Sequence, residues 1–208
     1  MEEQFKFENI PIRREVDADN SCLFSSVAYL INRSNYNEDS SIIFRQHIID
    51  YLLDNNFDEK LLDEPKDKYM DFIQNPTNWG GALEVKMFSE IFNVQIACID
   101  VKTNRVDIYG EDKEYLHRIY LLYNGVHYDP LVFNRDASTD PNGDITIFYS
   151  HDEFVLLQFR SLLLEYKNKG DYVDFSCMQC KICSIKCVNE NEALEHSINT
   201  HHWEYDNI

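Results

Sequence analysis

The sequence predicts an α+β protein with a small metal-binding appendage, and three observations carry that expectation. Helix-period segments come first along the 208 residues and strand-like runs follow in series, a segregation that favours a largely antiparallel sheet over a doubly wound parallel one. Hydrophobic residues make up 44% of the chain, with only 6 Gly and 5 Pro, which suits a domain with a real core. The cysteines are uneven: Cys22 and Cys98 stand apart, whereas Cys177, Cys180, Cys183 and Cys187 crowd near the C-terminus.

Residues 10–16 (IPIRREV) alternate apolar and polar as a short strand does. The cap-like cluster DADNS then precedes Leu23, Phe24, Val27, Ala28, Leu30 and Ile31 at helical spacing, which puts Cys22 in a first turn. A second helix is predicted over 40–54, with Ile42, Ile43, His47, Ile48 and Leu52 sharing much of one face. The charged stretch 58–69 reads as a solvated segment with short helical pieces. Helical spacing of Leu83, Met87, Phe88 and Ile91 returns after Trp79-Gly80-Gly81. Strand signals come next at 94–100, 106–109, 118–123, 127–133 and 145–149, with an exposed loop at 134–144. A last long helix over 152–168 ends at Gly170, a residue suited to the position just past a helix. The chain therefore divides into 1–150, a connecting helix 151–170 and an appendage 171–208.

Charge excludes one class of partner. With 19 Lys+Arg against 37 Asp+Glu the net charge is -18, so nucleic acid, whose binding rests on cations neutralising phosphates, is not expected. No apolar run reaches the roughly 18 to 20 residues that span a bilayer. The start, MEEQFKFENIP, lacks the basic and apolar regions of a signal peptide. A soluble cytoplasmic monomer with free thiols and no membrane partner is expected.

Two constellations carry chemistry. Cys22, behind Asp19 and Asn20 at a helix start, has the helix dipole and unpaired N–H groups that favour a thiolate and can face an oxyanion. In Asn124-Gly125-Val126-His127-Tyr128-Asp129 the glycine permits a tight loop, and His127 and Asp129 share one face of a strand. A carboxylate there can hold one imidazole nitrogen while the other takes the thiol proton. The alternatives are a small core cysteine and a surface histidine beside a turn aspartate. In the tail, Cys180-x2-Cys183-x12-His196-x5-His202 has the spacing of a tetrahedral zinc site. Cys177 with Cys180 is a second pair, His201 can replace His202, and Cys187 is left over. Lys181 and Lys186 stand against Glu190, Glu192, Glu195, Glu204 and Asp206, so a structural or protein-binding finger fits better than a DNA reader. Cys98 is expected to be buried, and His47, His117 and His151 lack ligand partners at useful spacing.

The stretches DNSCLFSSVAYL, WGGALEVKMFSEIFNVQIACIDV and RIYLLYNGVHYDPL closely resemble the ovarian-tumour (OTU) family of deubiquitinating cysteine proteases. More narrowly they resemble its subfamily with a C-terminal zinc finger that works alongside the valosin-containing AAA ATPase. The resemblance implies a papain-like fold, a small mixed or antiparallel sheet flanked by helices, with a catalytic domain in 1–150 and a finger in 171–208. It makes Cys22 the nucleophile, His127 the general base, Asp129 its orienting acid and Asp19 the loop residue that shapes an oxyanion hole from the N–H groups of 20–22. Trp79, Gly80 and Gly81, with Gly125 and Val126, become substrate-binding residues, the glycines making room for ubiquitin's Gly-Gly tail, and Glu84 a structural one. It favours Cys180, Cys183, His196 and His202 as ligands of a structural Zn2+, with no cofactor for catalysis. The implied partners are ubiquitin and polyubiquitin conjugates, and the implied setting is protein quality control or degradation. A catalytically weak ubiquitin-binding adaptor is the alternative. Only 21 residues precede Cys22, so the subfamily's N-terminal ubiquitin-like domain is expected to be absent, which leaves the AAA ATPase association doubtful.

Overall fold

The computed structural model describes residues 9–54, 57, 59–62, 64–135, 140–173, 178–187 and 190–207. Among them a six-stranded sheet forms from β1 (Ile10–Arg13), β2 (Gln95–Asp100), β3 (Val106–Tyr109), β4 (His117–Tyr123), β5 (Tyr128–Asn134) and β6 (Phe148–Tyr149). Its order is β1-β5-β4-β2-β3, with β6 beside the start of β4. Every pairing is antiparallel except the central one, where β4 runs parallel to β2 from Gln95 opposite Arg118 to Asp100 opposite Tyr123. The sheet is thus mixed. β3 turns back along one edge of β2, and residues 110–116 then carry the chain over to the other edge, so β4 enters in the direction of β2.

Side chains alternate across a strand, and β4 uses both faces. Ile119 and Leu121 join Ile96 in a core shared with α1 (Cys22–Asn32), α2 (Ser40–Leu53) and α4 (Ala82–Phe92), where Phe24, Leu30, Ile48 and Phe88 are fully buried. Tyr120 and Leu122 point the other way and meet Val155, Phe159 and Leu163 of α5 (Glu153–Lys169). A strand covered on both faces reads as a continuous apolar run, as RIYLLY does. α5 is delimited as expected. The Asp152 carboxylate accepts from the Phe154 N–H at 3.1 Å, and Gly170 closes the helix in the left-handed region at φ 72°.

Three expectations change. α2 buries Phe44, Arg45, Ile48 and Leu52 and exposes Ile42 and Ile43, so its inner face is rotated from the predicted one and includes a guanidinium. A helix, α3 (Lys66–Gln74), stands where only short helical pieces are expected; Tyr69 and Ile73, one turn apart, anchor it beneath a charged surface. The strand predicted over 145–149 shrinks to β6, and Ile145 makes an isolated bridge to Phe133.

A second, three-stranded sheet lies near the C-terminus, with β7 (Met178–Cys180) between β8 (Lys186–Cys187) and β9 (Tyr205–Asn207), and with α6 (Glu190–Thr200). Its buried hydrophobic cluster comprises Met178, Cys187 and Ala193, with Val173 and Tyr205 packed against it. No helix among the described residues is long and apolar enough to cross a membrane.

Candidate active site

Cys22 opens α1 with its side chain against the core, and the loop before it is fixed from several sides. The Asp19 carboxylate accepts from the Ser21 N–H at 3.0 Å, and Asn20 adopts a left-handed conformation at φ 65°, which Asn tolerates better than most residues. The Ser21 N–H is therefore taken, and of the three oxyanion donors expected at 20–22 only those of Asn20 and Cys22 remain. The Trp79 indole N–H donates to the Asn20 side-chain oxygen.

Beneath this loop lies Arg45, which is not among the site residues expected from the sequence. Its guanidinium donates to the Ser21 hydroxyl at 3.0 Å and to the carbonyls of Asn78 at 2.8 Å, Ile73 at 2.9 Å and Asn20 at 3.3 Å, and it stacks 3.9 Å from the Phe24 ring centroid. Burial pulls its pKa down to about 10, which keeps it cationic at neutral pH. A lone arginine within the apolar face of α2 was the available signal.

His127 stands at the mouth of β5. The Asn124 side-chain oxygen accepts from the N–H groups of Val126 at 3.2 Å and His127 at 2.9 Å, and the Val173 N–H reaches the Asn124 carbonyl at 2.7 Å. Gly125 has φ 107°, and a Cβ there would lie 2.6 Å from the Val173 carbonyl oxygen, so both conformation and space call for glycine. His127 Nε2 meets Asp129 Oδ1 at 3.1 Å, leaving Nδ1 for exchange with the thiol. Asp129 is fully buried, accepting also from the Val16 N–H at 2.9 Å and from Arg13 Nε at 2.7 Å. Arg13, ion-paired to both Asp129 and Asp171, is a second contributor that a strand pattern does not reveal.

The electrostatics derive from this packing. Burial opposes charge on His127, but its hydrogen bonds to Asp129 and Cys22, with the charge of each, outweigh that and push its pKa up to about 10. Burial likewise opposes ionisation of Asp129, yet the His127 hydrogen bond, the Val16 N–H and the charges of His127 and Arg13 hold its carboxyl below the usual range. The imidazole thus stays protonated between a carboxylate and the sulfur.

Two grooves meet at Asn20, Cys22, Trp79 and Val126. The larger, about 560 Å³, is walled by His127, Asn124, Glu15, Lys181, Trp203 and Glu204 among others. The narrower, about 240 Å³, continues over Gly80, Gly81, Tyr123 and Tyr128. All five expected substrate-binding positions except Gly125 line one groove or both. The two glycines differ. A Cβ at Gly80 would sit 2.8 Å from the Phe24 ring and 3.0 Å from Leu23, so this glycine lets its loop lie on α1, whereas Gly81 faces open space. Glu84 is buried, accepting from the Gly81 N–H and the Tyr69 hydroxyl, which is a structural part.

A second convergence lies in the tail. The ligand atoms of Cys180, Cys183, His196 and His202 all fall within 4.8 Å of one another, with Cys183 Sγ 3.3 Å from His196 Nε2 and Cys180 Sγ 3.7 Å from His202 Nδ1. His201 is exposed at φ 59° outside this group, Cys187 is buried in the small core, and Cys177 lies outside the described residues. Elsewhere burial pushes the Cys98 thiol strongly up, and His47, His117 and His151 pack against aromatic rings.

The family model described as OTU-like cysteine protease matches residues 17–134. The chain is 33% identical over 208 residues to ubiquitin thioesterase OTU1 of Rattus norvegicus, covering 97% of this chain and 60% of that one. It is 30% identical over 203 residues to OVARIAN TUMOR DOMAIN-containing deubiquitinating enzyme 2 of Arabidopsis thaliana, covering 94% and 96%. A solved OTU domain in complex with ubiquitin superposes with a TM-score of 0.67 at 30% identity, covering 80% of this chain and 92% of that one. The chain thus spans about 60% of the length of the OTU1 relatives of Rattus norvegicus and Homo sapiens.

Proposed function

Because the chain belongs to the OTU-like cysteine protease family, we propose that it is a deubiquitinase that removes ubiquitin from conjugates or cleaves polyubiquitin. The observation that carries this reading is the line Cys22–His127–Asp129 on the floor of a cleft, with Asp129 held in turn by Arg13 and Val16. The relatives' names and the ubiquitin-bound neighbour supply the substrate class.

In this reading the Cys22 thiolate attacks the carbonyl carbon of ubiquitin's C-terminal glycine. The oxyanion meets the N–H groups of Asn20 and Cys22, a geometry Asp19 and Arg45 hold open. Collapse breaks the C–N bond as His127 gives its proton to the departing lysine amine, leaving a thioester on Cys22. His127, now neutral, takes a proton from water. The hydroxide so formed displaces the thiolate, releasing ubiquitin's carboxylate. Asp129 keeps Nε2 engaged throughout, so Nδ1 does the proton transfer.

The tail set fits Zn2+. Two thiols and two imidazoles are the donors a structural tetrahedral zinc takes, and the tail's hydrophobic cluster is small among the described residues, so the ion would supply folding energy. Cys180, Cys183, His196 and His202 would hold the ion, which supplies folding energy and no step of the hydrolysis.

A panel of di-ubiquitin linkages, together with a ubiquitin bearing a C-terminal electrophile, tests the reading. Cleavage of at least one linkage and labelling that vanishes in Cys22→Ala are expected. Binding without turnover, unchanged by that substitution, would select the adaptor instead.

A further inference from the structure

We infer that the tail's Trp203 edge forms the wall of the groove that receives the polypeptide carrying the leaving lysine, making Trp203 a specificity-determining residue for the departing side of the bond. This inference rests on the deubiquitinase reading and adds to it which part of the chain selects the conjugate.

The two grooves assign the direction. His127 must protonate the departing amine, so that amine has to lie on the side of Cys22 that His127 faces. His127 borders the larger groove and not the narrower one. The narrower groove, over Gly80 and Gly81, suits an acyl tail without side chains. The substrate beyond the scissile nitrogen therefore enters the larger groove, between the segment Arg13, Glu15, Val16 and Ala18 on one side and Lys181, Trp203 and Glu204 on the other.

The chemistry of that wall fits a lysine stem with flanking polypeptide. Trp203 is 52% exposed and faces Trp79, itself 41% exposed, with ring centroids 6.4 Å apart, so two indoles flank the mouth beside Cys22. Apolar ring faces pack a methylene chain, and Glu15 and Glu204 offset Arg13 and Lys181 at the same groove, so its wall carries no net charge against an amine. The wall is also tied to the Cys/His set. Trp203 is the residue after His202 and Lys181 the residue after Cys180, and the Lys181 N–H donates to the Glu204 carbonyl at 2.9 Å. Whatever fixes His202 and Cys180 thereby fixes the wall.

The test uses the full chain with two substrates that share the acyl side and differ in the leaving group: an isopeptide-linked di-ubiquitin of a cleaved linkage, and ubiquitin carrying a C-terminal aminomethylcoumarin. Trp203→Ala should lower kcat/KM about tenfold on di-ubiquitin and less than twofold on the coumarin amide, with Trp203→Phe restoring most of the loss. Zinc content and the thermal melt of each variant, matched to the parent, establish that the tail is intact. Equal losses on both substrates, or no loss on either, would overturn the inference while leaving the deubiquitinase reading standing. A parent chain inactive on both would overturn that reading and this inference with it.

Discussion

The two Cys/His clusters of this chain are built from the same side chains and supported in opposite ways. At Cys22 and His127 the key side chains are backed by others: Asp129 is fully buried and grips His127, Arg13 grips Asp129, and Arg45 holds the loop before the thiol. In the tail, Cys183 is exposed, the buried hydrophobic cluster among the described residues is Met178, Cys187 and Ala193, and the thiols and imidazoles chiefly face one another. A carboxylate behind an imidazole makes a proton carrier; thiols in front of it make a ligand set. Support, rather than residue type, separates the proposed catalytic cluster from the proposed metal-binding one.

The sharpest break in that comparison comes from the reacting atoms. Cys22→Ala should lower ubiquitin-conjugate turnover about 10⁴-fold or more, while zinc content stays at one per chain by elemental analysis. The converse is Cys183→Ser, or exhaustive chelation. It should abolish zinc binding and open the tail to limited proteolysis, yet shift the main melting transition by only a few degrees, since the large cores contain none of the four tail residues.

Asp129→Asn should act on chemistry and stability together. Loss of the carboxylate leaves Arg13 with its Asp171 pair only and costs about 1.5–3 kcal/mol, read by denaturant unfolding. The His127 pKa, held near 10 by Asp129 and Cys22, should fall, so the alkaline limb of the kcat/KM profile moves to lower pH. The sign for stability differs between the two groups. The depressed Asp129 carboxyl stabilises fully above its unfolded value of about 3.9 and ceases to as pH falls through its folded value. The raised His127 stabilises fully below about 6.5, and that contribution is lost as pH rises toward its folded value of about 10. In Asp129→Asn the acid limb of unfolding should be shallower than in the parent. The smallest effect belongs to His201→Ala, which should leave zinc stoichiometry unchanged, because His202 is the histidine that converges.

The features legible in the sequence were local. α1, α4 and α5 announced themselves because apolar spacing and caps agree, and His127 and Asp129 because two residues along a strand share a face. Those that escaped depended on distant partners. The parallel pairing of β2 with β4 is decided by a crossover, and α3 was hidden by the charges that surround Tyr69 and Ile73. Arg45, Arg13 and Trp203 carry no pattern of their own. Each acquires its role only when segments far apart in the chain come together, as Arg45 does with residues 20–21 and 73–78.

Arg45 also fixes one side of the cleft. Its hydrogen bonds tie the segment before Cys22 to the segment before Trp79, and the Trp79–Asn20 contact adds a second tie, so the two move as one rigid jaw. The opposite side is the tight turn at 124–127, where the Val173 N–H donates to the Asn124 carbonyl at 2.7 Å. The Tyr123 hydroxyl also donates to the Gly125 carbonyl and the Asn124 side-chain oxygen accepts from the Val126 and His127 N–H groups, so both walls are fastened from behind and the substrate's tail threads a preset gap.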